Sequence, residues 1–263
     1  MYKHAALDTF GRYVNPVIRS SAFDSRASSD SERMTLDGAV NKTAIMLAIL
    51  ISTAAISWNF PSPFIVMLSY IGIFAAAIAS VATFGFWMPF IGFIINPRPY
   101  LAPKTWLVFA VGEGFFIGLI SLSFETMFPG IVLEAVSLTF CVAATLLFLY
   151  KSGIVKPSQN FVLMVCSAVF GIFLFYIGML IYSLVTGVSP EIFSGSSNAS
   201  IGLSLFIVAM AAFSLVLDFD IIEQSAEYGS PKYMEYFGAM ALVTTLIWLY
   251  IEILRLLAKF RSR

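Results

Sequence analysis

The chain has 263 residues, 59% of them hydrophobic and 11% charged, with 15 basic and 15 acidic side chains and a formal net charge of zero. Soluble domains carry about 25% charged residues, so no water-facing surface can be built from this composition. Neutrality and a single histidine, His4, exclude a nucleic-acid footprint and a histidine-based metal site, and no cofactor motif or metal-ligand set is present.

The charges are unevenly placed. None falls between Lys42 and Arg98, between Lys156 and Glu191, or between Glu191 and Asp218, and those gaps are where lipid must lie. Residues 1–42 read as a polar tail: Ser20–Ser31 is too poor in hydrophobes to offset the entropy of ordering, and no apolar segment of a secretory signal precedes the first span. The end of the tail, Met34-Thr-Leu-Asp-Gly-Ala-Val-Asn-Lys42, is expected to dock onto the bundle. A helix needs roughly 20 apolar residues to cross about 30 Å of hydrocarbon. Runs of that kind place spans at Thr43–Phe60, Pro63–Phe86, Thr105–Phe124, Gly130–Tyr150, Phe161–Val185, Ile201–Leu217 and Phe237–Leu257.

The Pro- and Gly-bearing stretches Pro61-Ser-Pro63, Asn96-Pro-Arg-Pro99, Phe128-Pro-Gly130, Lys151-Ser-Gly153 and Gly229-Ser-Pro231 fall between the runs, and Pro89 kinks the extension of the second. Trp58, Trp87, Trp106, Tyr150, Trp248 and Tyr250 sit at run ends, as headgroup belts prefer. Cys141 and Cys166 lie inside apolar runs as small hydrophobes. The predicted fold is an all-α integral membrane protein: a seven-transmembrane helix bundle over residues 43–260 behind a tail of residues 1–42.

Lys and Arg number six in the tail, then zero, two, zero, two, zero and one in successive loops, with four at the end of the last run. The positive-inside rule makes the tail cytoplasmic and, after seven crossings, the C-terminus external. Arg255, Lys259, Arg261 and Arg263 oppose that, so six spans plus a re-entrant C-terminal segment stand as the alternative.

An ionisable group at membrane depth costs about 2.5–3.5 kcal/mol on insertion scales and is a functional candidate by default. Asp218 closes the sixth run on a face with Ser214, Ala211 and Ser204, whereas Asp220 lies about 200° around the helix, so Asp218 is expected to point inward. Glu252 shares a face with Trp248, Thr245, Ala241 and Gly238. Glu113 stands in Gly112-Glu-Gly-Phe-Phe-Ile-Gly118, where Gly114 and Gly118 form a small-xxx-small contact. Bland readings stand beside these: water-solvated acids at a helix end for Asp218 and Asp220, an i,i+3 pair with Arg255 for Glu252, and a protonated acid bonded to a neighbouring helix for Glu113.

No HExxH, GxSxG or CxxC occurs, so the chain is not expected to be an enzyme. A retinal receptor needs a lysine inside the bundle, and Phe237–Leu257 has none.

The segments Met34–Thr43, Leu217-Asp-Phe-Asp-Ile-Ile-Glu223 and Trp248-Leu-Tyr-Ile-Glu-Ile-Leu-Arg-Leu-Leu257 resemble the bacterial Bax inhibitor-like branch of the transmembrane BAX inhibitor motif family, over about residues 34–260. That resemblance implies a seven-helix bundle with a central last helix, and a pH-dependent calcium leak controlled by paired aspartates on the sixth and seventh helices. It maps the sixth-helix aspartate onto Asp218, with Ile222 four positions on. The seventh-helix partner falls near Thr245, which is not an acid, and Glu252 lies two turns further along. A basic partner from the second connection maps to Arg98.

The expected function is therefore a pH-sensitive cation leak, for Ca²⁺ or H⁺, in a bacterial cytoplasmic membrane. The pathway residues expected for it are Asp218, Asp220, Glu252, Glu113, Thr245 and Arg98, with the lipid bilayer as surroundings. Two other readings stay open. One is a non-conducting stress-response protein that binds other membrane proteins through an acidic Asp218–Glu235 turn; the other is a proton-coupled transporter.

Overall fold

A computed structural model describes residues 33–84, 98–187 and 195–263. The tail up to residue 32, Trp87, Pro89 and Glu191 lie outside the described residues. Among the described residues, seven helices are long and apolar enough to cross a membrane: α1 Leu36–Asn59, α2 Pro63–Phe84, α3 Ala102–Met127, α4 Ile131–Lys151, α5 Gln159–Thr186, α6 Asn198–Glu227 and α7 Tyr233–Arg261. A short 3₁₀ turn, Pro99–Leu101, leads into α3.

The helices overrun the apolar runs. The first begins at Leu36 rather than Thr43, the sixth continues to Glu227 rather than stopping at Leu217, and the seventh extends at both ends. Hydrophobicity marks where hydrocarbon lies, while a helix continues until its backbone is capped or broken. At the start of α1 that cap is Thr35, whose Oγ1 accepts from the Gly38 N–H at 3.0 Å. The seventh helix is unbroken over 29 residues, about 43 Å at 1.5 Å per residue, so the expected alternative of a re-entrant segment gives way to one continuous helix long enough for a full crossing. It is also the most enclosed: 61% of its apolar stretch is buried, against 11% for α5.

The chain divides into two compact units. One comprises residues up to Ser123 together with Asp218–Thr244; the other comprises Phe124–Leu217 and Thr245–Arg263. In the first, α3 carries Gly114 and Gly118 against α1, where a Cβ on Gly114 would collide with Thr53 Oγ1 and the Leu50 carbonyl, and one on Gly118 with Ser57 Oγ and the Ala54 carbonyl. Gly72 of α2 and Gly112 of α3 meet backbone to backbone in the same way. Lipid offers no hydrophobic gain for helix association, so close approach of small residues is what holds these helices together. Met46, Phe109, Met234, Phe237 and Met240 fill the remaining core, and the Phe84 and Phe237 rings stand 5.0 Å apart.

In the second unit, Ile172, Ile207 and Met210 form a buried cluster with Tyr176, Phe213 and Trp248 against it. Glu125 supplies the turn into α4, accepting from the Gly130 N–H at 2.6 Å and the Val132 N–H at 3.1 Å. Gly130 itself has φ +85°, a conformation that a side chain would strain. The outward faces of α2 and α5 carry Phe74, Ile78, Leu174 and Leu184, as lipid contact requires.

Replacing Gly114 or Gly118 by Leu should lower the stability of the purified protein by about 1–3 kcal/mol or more through forced separation of α1 and α3. Gly171→Ala on α5, where nothing lies within 4 Å of the added methyl, should leave thermal unfolding unchanged. Melting curves in detergent compare the three.

Candidate functional site

Each unit contains a deeply buried glutamate, and the two are satisfied in different ways. In the first unit, Glu235 stands in the first turn of α7, where a carboxylate complements the helix dipole, and is 2% exposed. Its Oε1 accepts from the Thr35 N–H at 2.9 Å and the Thr35 hydroxyl at 3.1 Å, and its Oε2 from Lys42 Nζ at 2.5 Å. Lys42 also lies over the Tyr236 ring, 4.7 Å from its centre. Gly38 leaves the space that the Glu235 carboxylate occupies, since a Cβ there would displace it. The backbone completes the clasp: the Met34 N–H donates to the Ser230 carbonyl at 2.7 Å, and Arg33 pairs with Pro231. The segment from Met34 to Lys42 thus docks onto the start of α7 and the turn before it.

In the second unit, Glu252 of α7 is 2% exposed, and its Oε1 accepts from the Tyr176 hydroxyl at 2.7 Å and from Arg255 at 3.2 Å. The i,i+3 pair anticipated from spacing is present, and Tyr176 of α5 adds to it. The other basic residues at the end of α7 are engaged as well. Lys259 Nζ donates to Ser204 Oγ at 2.8 Å, Arg261 pairs with Glu134 at 2.6 Å and bonds the Pro129 carbonyl at 2.7 Å, and Arg263 bonds the Asn198 side chain.

Asp218 is half-buried with its Oδ2 wholly enclosed. It stands nine residues before the end of α6, about 13 Å along the axis, so it is an acid within a helix and not at its frayed end. Asp220, also half-buried, accepts from Gln224 at 2.6 Å on the exposed side. Glu113 is half-buried on α3 and makes no hydrogen bond or ion pair with any described residue. Thr245 is half-buried on α7, two turns before Glu252, and Arg98 is exposed, its N–H donating to the Thr83 carbonyl at 3.1 Å. The expected acidic turn from Asp218 to Glu235 is corrected: α6 runs to Glu227 and α7 starts at Tyr233, so only five residues lie between helices. Among the described residues no three acidic, histidine or cysteine side chains converge on a metal-sized site.

With seven apolar helices, an enclosed last helix and a half-buried sixth-helix aspartate established, similarity to known proteins becomes informative. A family model described as Bax inhibitor 1 like matches residues 15–262. The chain belongs to the Bax inhibitor 1-like family. It is accordingly a multi-pass membrane protein. A search of curated proteins and a search of solved structures each return no match.

For this Bax inhibitor 1-like chain, the sequence alone assigns no partner to Glu235, Lys42, Tyr176 or Lys259. Lys42 was legible as the last residue of the docking segment, and Glu235 as an acid in the first turn after a Gly-Ser-Pro turn. Their contact joins residues 193 positions apart, which no local pattern displays.

Breaking the clasp should be costly. Lys42→Met leaves the Glu235 carboxylate without its cation and should destabilise the protein by about 1–3 kcal/mol. Lys42→Met combined with Glu235→Gln should lose less than the sum of the two single changes. A double-mutant cycle by thermal or denaturant unfolding measures that coupling, and additive losses would show the pair to be inert.

Proposed function

We propose that this Bax inhibitor 1-like protein is a pH-sensitive cation leak of a bacterial cytoplasmic membrane, with Ca²⁺ as the conducted ion and Asp218 as the titrating group. The observation that carries the reading is the placement of Asp218: an acid inside an unbroken apolar helix with one carboxylate oxygen enclosed. A group so placed pays for ionisation in proportion to what surrounds it, so its charge state and the helix arrangement bias one another. Carboxylate and hydroxyl oxygens suit Ca²⁺, and protonation of the acid competes with the cation. Family membership supports the same reading.

Glu252 takes a structural part, since Tyr176 and Arg255 already hold its carboxylate. Glu113, Asp220, Thr245 and Arg98 remain secondary residues of the pathway. The tail and the basic even-numbered connections face the cytoplasm. The four basic residues at the end of α7 have partners inside their own unit, which accounts for their presence at an external C-terminus.

The test is Ca²⁺ entry into dye-loaded liposomes across a pH series. Wild-type flux should vary with pH. Asp218→Asn, a permanent mimic of the protonated acid, should hold flux at its acid-side value at every pH, whereas Glu252→Gln should retain the pH dependence. Absence of cation flux from wild type at all pH values rules the leak out in favour of a non-conducting partner-binding protein, and flux that requires a proton gradient assigns a proton-coupled transporter.

A further inference from the structure

The first turns of α6 and the end of α7 form a second polar site, within the second unit, that the leak reading does not use. Lys259 is 9% exposed, and the acceptors of its ammonium are both neutral: Ser204 Oγ at 2.8 Å and the Ser200 carbonyl at 3.4 Å. Ser200 and Ser204 are four residues apart and therefore on one face of α6. Ser200 is fully buried, and its hydroxyl has no hydrogen-bond partner among the described residues.

The charge balance at this site is positive. Glu252, Arg255 and Lys259 are close enough for their charges to interact, but Glu252 is already bonded to Arg255, so the set carries one positive charge in excess. Arg263, bonded to Asn198 at the first residue of α6, adds another at the rim. The N-terminus of α6 contributes its own partial positive charge. Among the described residues, the Ser200 hydroxyl has no hydrogen-bond partner and the Lys259 ammonium meets only neutral oxygens, an arrangement that is expensive when buried. A group that only accepts hydrogen bonds and carries one negative charge would satisfy every one of these donors.

We propose that Ser200, Ser204 and Lys259 form a binding site for a small monovalent anion of the halide or carboxylate class. Ser200 supplies the donor that sequence and packing leave unused, and Lys259 supplies the charge.

Thermal unfolding of the full-length protein in neutral detergent tests this, titrating chloride or acetate against gluconate at constant ionic strength. Wild type should show a saturable rise in Tm with chloride or acetate, as a ligand that binds only the folded state produces. Ser200→Ala should raise the half-saturating concentration roughly tenfold, the loss expected for one hydrogen bond to a charged group, and Lys259→Met should abolish the response. A wild-type Tm indifferent to both anions overturns the proposal, as does an undiminished response in Lys259→Met. If that variant does not fold, Ser200→Ala decides alone, and an unchanged half-saturating concentration overturns it.

Discussion

Hydrocarbon supplies no water to take up an unpaired charge or an open backbone group, so whatever this chain carries into the membrane must be satisfied by the chain itself. The backbone of the described residues is satisfied chiefly by seven continuous membrane-length helices. The side chains are satisfied by a few long-range clasps, of which Glu235 with Thr35 and Lys42 is the most complete: one carboxylate accepts three donors, and Gly38 leaves the space it occupies. The N-terminal end of α1 and the start of α7 are thereby bound within a single unit.

The same constraint explains the basic cluster at the end of α7. Counted as loop charge, Arg255, Lys259, Arg261 and Arg263 contradict an external C-terminus. In the fold each has a partner: Glu252, Ser204, Glu134 and Asn198 respectively. Two of those partners, Glu252 and Glu134, carry a full opposite charge. Lys259 and Arg263 are met by neutral oxygen among the described residues, and of the two Lys259 is the buried one, so the charge surplus falls at that end of the helix.

Helix contacts follow a parallel logic. Since lipid is as apolar as leucine, attraction between helices comes from close backbone approach, and α3 achieves it on two sides, with Gly114 and Gly118 against α1 and Gly112 against α2. Glu113 stands between those glycines in sequence, yet it is half-buried and forms no bond with a described residue. The close contacts of α3 are thus made by the glycines around Glu113 and not by Glu113 itself.

The amino-acid sequence by itself determined the class of the protein, the number of its crossings, the small-residue contact on α3 and the Glu252–Arg255 pair. All of these depend on composition or on spacings of a few residues, which helix geometry converts directly into contacts. It marked the hydrocarbon rather than the helix ends, so the extensions of α1 and α6, and with them the place of Asp218 inside a helix, were visible only once capping and packing were. Only the tertiary structure decided that Glu235 is held by Lys42, that Tyr176 shares Glu252 with Arg255, and that Lys259 meets Ser200 and Ser204. Those partners lie between 55 and 193 residues apart, and a buried charge finds its partner through the fold of the whole unit, which no local period encodes.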